Sequence, residues 1–265
     1  YQSIIRGKTK SWIDVYVMNR LGSIEDGKPV YRQFSTDVHV AQEPILPAEV
    51  PYYVGIDFGL TPACVFAQQV RGRWLILHEI VAKDMGMVRF SELLRQEMAS
   101  KFGKIPIARI LGDPAGDYRA QTDESTPFQI LRGAGIKAFP APSNDVSLRI
   151  EAVTAPLTRL IEGKSGMLID KSCKHLIKGF EGGYQYRRMQ VSGERYDEKP
   201  DKNHYSHIHD ALQYLLLGAG EGKQIVQSQT PAKVVQAKTD FDVFTKQPKK
   251  SIRKKWNIFD IRARL

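Results

Sequence analysis

From residue 52 onward, apolar and polar positions fall into short runs with strand or helix periods. Tyr52-Tyr53-Val54-Gly55-Ile56-Asp57 is an apolar run that predicts a buried strand ending on a carboxylate. Residues 63–70 and 74–81 predict two more strands, joined by the turn Arg71-Gly72-Arg73. Across 88–102, Phe90, Leu93, Leu94 and Met98 recur at helical spacing. A strand over 108–111 stops at Gly112-Asp113, and a helix over 127–132 follows Ser125 or Thr126 as cap and ends at Gly133 or Gly135. A strand over 136–139 comes next. A helix over 147–162, built on Ile150, Val153, Leu157, Leu160 and Ile161, carries a kink at Pro156. A strand over 166–169 and a short helix over 173–180 follow. Residues 183–196 alternate around Ser192-Gly193 as a second hairpin, and Ser206 caps a last helix over 208–217 that stops at Gly218. This order of elements predicts an α/β domain with a mixed central sheet flanked by helices.

The flanks read differently. Residues 1–35 hold a segment at 12–17 of either helix or strand character and a short strand at 29–34. Residues 22–28 copy the spacing of a phosphate loop, but Pro29 stands where Ser or Thr should be and no apolar strand leads in, so a surface turn is expected. Residues 36–51, with Pro44, Pro47 and Pro51, have linker composition and mark a domain boundary. Residues 219–265 form a polar tail whose last twenty positions carry eight basic residues against Asp260.

Composition narrows the class. A chain of 265 residues suits one large domain with appendages, and the start at Tyr1 suggests a piece of a longer protein. No apolar run is long enough to cross a membrane. Cys64 and Cys173 make neither a disulfide framework nor a zinc site, which fits a reducing compartment. The net charge of +10 suits a polyanionic partner.

Three carboxylates occupy comparable places. Asp57 and Asp113 each end a predicted strand, and Asp210 lies in the first turns of the last helix. Each has an ordinary explanation alone: a turn aspartate before Gly59 or Pro114, or an acid near a helix N-terminus. Together they suggest more. If the two strands are parallel neighbours, both acids leave the same sheet edge, and the last helix can bring Asp210 to them. Two unit charges about 4 Å apart repel by roughly 4 kcal/mol at an effective dielectric of 20, a cost that a divalent cation reverses. Hard oxygen donors favour Mg2+ or Mn2+, and two such ions suit phosphodiester hydrolysis. His207 shares a helix face with Asp210 and is a candidate for contact with the scissile phosphate or a water. Asp117, Asp123 and Glu79 are possible fourth acids, and His204 and His209 are expected to be bystanders. Arg187, Arg188 and Arg195 stand among Tyr184, Tyr186 and Tyr196 on the predicted hairpin, a composition suited to phosphate contact and stacking. Arg149 and Lys202 are further candidates for phosphate contact.

Tyr53 to Gly59, Gly112-Asp113-Pro114-Ala115, Asn144, Arg149, Lys202 and the stretch Tyr205-Ser206-His207-Ile208-His209-Asp210-Ala211-Leu212-Gln213-Tyr214 resemble the C-terminal nuclease domain of the large terminase subunit of tailed phages. The resemblance runs over about residues 50–218, and Ser-His-x-x-Asp-Ala-Leu-x-Tyr is its most specific part. It implies a ribonuclease H-like fold and cleavage of concatemeric double-stranded DNA with two Mg2+ or Mn2+ ions. Asp57, Asp113 and Asp210 would be the metal ligands, with His207 beside them. It further implies the portal protein and small terminase subunit as partners, action in the host cytoplasm at the procapsid, and no membrane. On this reading 1–35 end a packaging ATPase domain, 36–51 are a linker, 52–218 are the nuclease and 219–265 are a basic tail. The second acid is Asp here, where some relatives carry Glu. Other readings are an actin-like or sugar-kinase ATPase, from Gly55 to Thr61, a Holliday-junction resolvase of the same fold, and a non-catalytic DNA-binding packaging module.

Overall fold

A computed structural model describes residues 27–117, 125–189, 195–222, 241–242 and 247–248. The chain divides into two compact units, Tyr1–Gln227 and Ser228–Leu265. In the second unit, Phe241–Asp242 and Gln247–Pro248 pair antiparallel. The segment at 12–17, the turn at 190–194, Asp123 and most of the basic tail lie outside the described residues.

The first unit is built on strands β1 (Lys28–Pro29), β2 (Tyr52–Asp57), β3 (Ala63–Val70), β4 (Arg73–Val81), β5 (Ile107–Gly112), β6 (Ala138–Pro140), β7 (Leu160–Ile161), β8 (Lys164–Ser165), β9 (Met167–Ile169) and β10 (Gln185–Tyr186). Its helices are α1 (Thr36–His39), α2 (Met87–Phe102), α3 (Pro127–Gly133), α4 (Val146–Thr158), α5 (Lys174–Lys178) and α6 (Ser206–Ala219). Six strands make the central sheet in the order β6-β5-β2-β3-β4-β9. β3 runs antiparallel to both its neighbours, while β2–β5, β5–β6 and β4–β9 are parallel pairs. The expected mixed sheet flanked by helices is therefore observed.

β2 is buried on both faces, which explains its nearly unbroken apolar run. Val54 and Ile56 join Phe66, Phe90, Leu94 and Phe128 under α2 and α3. On the other face, β3 and β4 contribute Val65, Trp74 and Ile76 to a core shared with α4, α5 and α6. Gly55 sits directly beneath α6. A methyl group there would overlap the Ala211 carbonyl oxygen and stand 2.7 Å from the Leu215 Cβ. Helix and strand backbones are in contact at that point.

Local chemistry sets most boundaries. The β3–β4 turn takes φ of 49° at Arg71 and 81° at Gly72, the paired left-handed turn that suits a tight hairpin. Thr126 and Gln129 form a reciprocal capping box at the start of α3. Asp145 accepts from the Leu148 N–H at 2.9 Å to start α4.

Four expectations differ from the structure. The helix expected over 147–162 ends at Thr158, because Glu162 (φ 52°) and Gly163 (φ 75°) make a second tight turn between β7 and β8. The strand expected over 29–34 is confined to Lys28–Pro29, since Tyr31 turns inward to a 2% exposed site beside Phe180 and His209. The helix expected over 173–180 is regular only to Lys178 and then widens through Gly179–Gly183, where Gly182 has φ 136°. Ser206 is the first residue of α6 rather than its cap. Its hydroxyl donates to the Asn203 carbonyl at 2.7 Å, while the Asn203 side chain accepts from the Tyr205 N–H at 2.9 Å.

The contact at Gly55 predicts that Gly55→Ala destabilises the fold by about 3 kcal/mol, since backbone atoms on both sides must give way. Gly133→Ala, with nothing within 4 Å of its Cβ, is expected to be neutral or slightly stabilising. Urea unfolding midpoints of the two variants check this.

Candidate active site

The carboxyl edge of the sheet collects the acids. Asp57 is the last residue of β2 and is 6% exposed. Asp113 follows β5 directly, and its N–H donates to the Ile56 carbonyl at 3.2 Å, so the two strand ends are stitched side by side. The Ala115 N–H donates to Asp113 Oδ1 at 2.8 Å. The loop is held from behind by Phe58, whose ring leaves no room for side chains at Gly112 and Gly116 and meets Phe128 edge-on at 5.0 Å. These glycines allow the β5 loop to close down beside β2.

α6 supplies the other half. His207 Nδ1 lies 2.9 Å from Asp57 Oδ2. Asp210 is 1% exposed. Its Oδ1 accepts from Arg149 Nη1 at 2.9 Å, and its Oδ2 accepts from Lys202 Nζ. Tyr214, one turn further along α6, donates its hydroxyl to Asn144 Oδ1 at 2.9 Å, and the Arg149 guanidinium lies 4.8 Å above its ring. Burial pushes the Tyr214 hydroxyl pKa far up; Arg149 opposes this, and Asp113, Asp210 and Asp57 all add to it. One phenol thus feels all three acids.

The electrostatics of the acids differ. Burial raises the Asp57 carboxyl to about 6; the His207 hydrogen bond pulls it down and the charge of Asp210 pushes it up. His207 is raised above its ordinary value, chiefly by its bond to Asp57. Asp210 has a cation on each oxygen, as a buried charge requires.

Arg149, expected to meet phosphate, is instead 3% exposed and committed to Asp210 and Tyr214. Lys202 lies on the surface, with its ammonium on Asp210. Arg187, Arg188 and Arg195 are exposed. They stand on converging arms: Arg188 bridges Tyr196, Met189 N–H donates to the Arg195 carbonyl at 2.8 Å, and Arg187 pairs with Asp201. Among the other acids, Glu79 accepts from the N–H groups of His175 and Leu176 at the start of α5, and Asp117 is exposed. His209 is fully buried. Its ring stacks on Tyr184 at 4.8 Å and 9°, and burial outweighs the support of the Leu176 backbone, dropping its pKa to about 3.

Among the described residues, no three His, Cys, Asp or Glu side chains converge closely enough to enclose a metal ion. The donor chemistry nonetheless fits a hard divalent cation. Asp57 is a desolvated carboxylate that feels the charge of a second buried carboxylate, Asp210, and carboxylate oxygens are hard donors. Two partners escaped the sequence reading, Lys202 on Asp210 and Asn144 on Tyr214. The i, i+3, i+7 spacing of His207, Asp210 and Tyr214 was the available signal for the tyrosine.

The same architecture occurs in the large terminase of a thermophilic bacteriophage, with a TM-score of 0.56 and 23% identity over 81% of this chain and 50% of that one. It occurs also in the nuclease domain of the P22 large terminase, with a TM-score of 0.54 and 14% identity over 74% of this chain and 93% of that one. The chain carries the terminase-nuclease fold. It spans about half the length of the thermophilic phage's terminase. No family model and no curated protein sequence matches it. Within the ribonuclease H-like sheet of this fold, the acids of the present chain stand at the carboxyl ends of β2 and β5. No described helix is long and apolar enough to cross a membrane.

The raised values of Asp57 and His207 have the same sign. The folded state holds the Asp57 proton more tightly than the unfolded chain, so stability falls as pH rises from about 4 to about 6, by about 3 kcal/mol at most. The His207 contribution is present below about 6.5 and is lost as pH passes its raised folded value. Unfolding midpoints of the wild-type chain are expected to fall from pH 4 to above pH 6.5, and Asp57→Asn to flatten that slope. An unchanged slope in the variant would refute the assignment.

Proposed function

We propose that this chain is a metal-dependent endonuclease that cuts concatemeric double-stranded viral DNA during genome packaging. What supports the reading is that Asp57 and Asp113 stand at the ends of adjacent parallel strands, while the charge of Asp210, on the helix laid across them, is felt at Asp57. The terminase-nuclease fold and the net charge of +10 support it.

In this proposal Asp57, Asp113 and Asp210 hold two Mg2+ or Mn2+ ions. When bound, such ions lower the pKa of water and neutralise the charge that develops on the phosphate and the leaving oxygen. The residues of the chain do the rest. Asp57 serves while ionised, which its value of about 6 permits at neutral pH. His207, bonded to Asp57 through Nδ1, has Nε2 left to contact the scissile phosphate or a water. Arg149 holds Asp210 in place from beneath. Arg187, Arg188, Arg195 and Lys202 contact phosphates along the duplex. The domain assignment belongs to the same proposal: 1–35 end an ATPase domain, 36–51 link it, 52–218 cut DNA and 219–265 are a basic tail. The portal protein and small terminase subunit are its proposed partners, in the host cytoplasm at the procapsid.

Asp57→Asn, Asp113→Asn and Asp210→Asn are each expected to abolish Mn2+-dependent nicking of supercoiled plasmid while the circular dichroism spectrum stays native. An active, folded variant would remove that acid from the site.

Arg187→Ala combined with Arg188→Ala is expected to weaken duplex binding and to lower the slope of log affinity against log salt by about two. Titrations at several salt concentrations measure it, and an unchanged slope would place the DNA elsewhere.

A further inference from the structure

Beside the acidic edge lies a groove of about 610 Å3 whose walls come from separate parts of the sequence. Thr61 lies between β2 and β3, Val81 ends β4 and Lys83 follows it, His175 lies in the first turn of α5, and Lys202 and His204 lead into α6, with His207 at the end nearest Asp57. Its lining holds two lysines and three histidines; Lys202, His207 and His175 are paired with Asp210, Asp57 and Glu79 behind it, and Lys83 and His204 stand at its exposed rim. That charge suits a phosphate-bearing occupant. Its volume is that of a small-ligand site, roughly 300–1,000 Å3, which admits a nucleotide but not a duplex. Lys83 and His204 are exposed, and the His204 ring lies 3.8 Å from that of Tyr205. Leu60, next to Thr61, is 85% exposed, although the Met85 N–H fixes its backbone by donating to its carbonyl at 3.2 Å. An apolar side chain held out beside a basic groove is the kind of wedge that separates stacked bases.

We infer that this groove takes an unpaired nucleotide of the scissile strand, adjacent to the phosphate that faces Asp57. Lys83 and His204 meet its phosphate, Val81 lies along its sugar and base, and Leu60 keeps the strands apart. The inference rests on the nuclease reading and adds to it a substrate class, duplex with a locally unpaired strand.

The test uses the full chain carrying Asp57→Asn, so that DNA binds without being cut, and fluorescence anisotropy with a blunt duplex and the same duplex bearing a short single-stranded tail. The tailed DNA is expected to bind about tenfold more tightly. Lys83→Glu, or His204→Ala, is expected to remove that advantage and leave blunt-duplex affinity as it was. Both side chains are exposed, so neither substitution reaches the core. Equal affinity for the two DNAs, or a tailed advantage that survives Lys83→Glu, overturns the inference. Nicking of plasmid by the unsubstituted chain reports the nuclease reading separately. Nicking without a tailed preference overturns the groove alone, and absence of nicking overturns the nuclease reading whatever the tail does.

Discussion

The backbone contact between α6 and β2 at Gly55 governs the arrangement of the rest. A helix ordinarily stands off a sheet because side chains fill the gap between them. Here the Ala211 carbonyl reaches the strand, and the helix comes down onto it. The contact fixes where α6 lies along β2. With Ala211 above Gly55, His207 is one turn nearer the strand end and falls on Asp57. Gly218 repeats the device at the far end of α6, where a methyl group would stand 2.6 Å from the Leu111 side chain. Two missing side chains on two elements thus set the spacing of a polar site neither glycine touches.

That closeness has an electrostatic consequence. Bringing α6 down buries Asp210 and Asp57 in one low-dielectric region, where like charges are costly. The chain answers differently at each acid. Asp210 is neutralised by Arg149 from beneath and Lys202 from the surface, so its burial is compensated within the fold. Asp57 has the partly exposed His207 bonded to it and feels the charge of Lys202, yet its carboxyl stays raised to about 6. The less compensated acid is the one at the strand end, itself only 6% exposed. Under the proposed function, a cation arriving there would relieve a penalty that the protein leaves in place.

The strands and long helices were legible because their apolar periods survive without neighbours: β2, β3 and α2 match their expected spans to within a residue or so. The positions of Asp57 and Asp113 were legible because each follows the close of such a run, and that of Asp210 because it lies in the first turns of an apolar helix. Arg149 was not. An arginine on an amphipathic helix carries no mark that says whether it faces DNA or a buried carboxylate, and only the packing of α4 on α6 decides it. Lys202 is similar, since its partner Asp210 is eight residues away across a change of direction at Asn203. The helical spacing of Leu157, Leu160 and Ile161 carried the expected helix on to Glu162. The left-handed pair of dihedrals there overrode the period.

α6 also has a second face, and it is held as firmly as the first. Gln213 Nε2 donates to the Tyr31 hydroxyl at 2.9 Å, and Tyr31 stacks on His209 at 5.6 Å. A side chain at Gly179 would overlap the His209 ring, so the widened turn after α5 exists to admit that ring. His209 therefore does on this face what Ala211 does on the other: it sets how deeply the helix sits. The two residues flank Asp210, one locked into an aromatic cage and one against a strand. An aspartate between them has little freedom to retreat from the sheet edge: two neutral neighbours fix its backbone, and Arg149 and Lys202 hold its carboxylate.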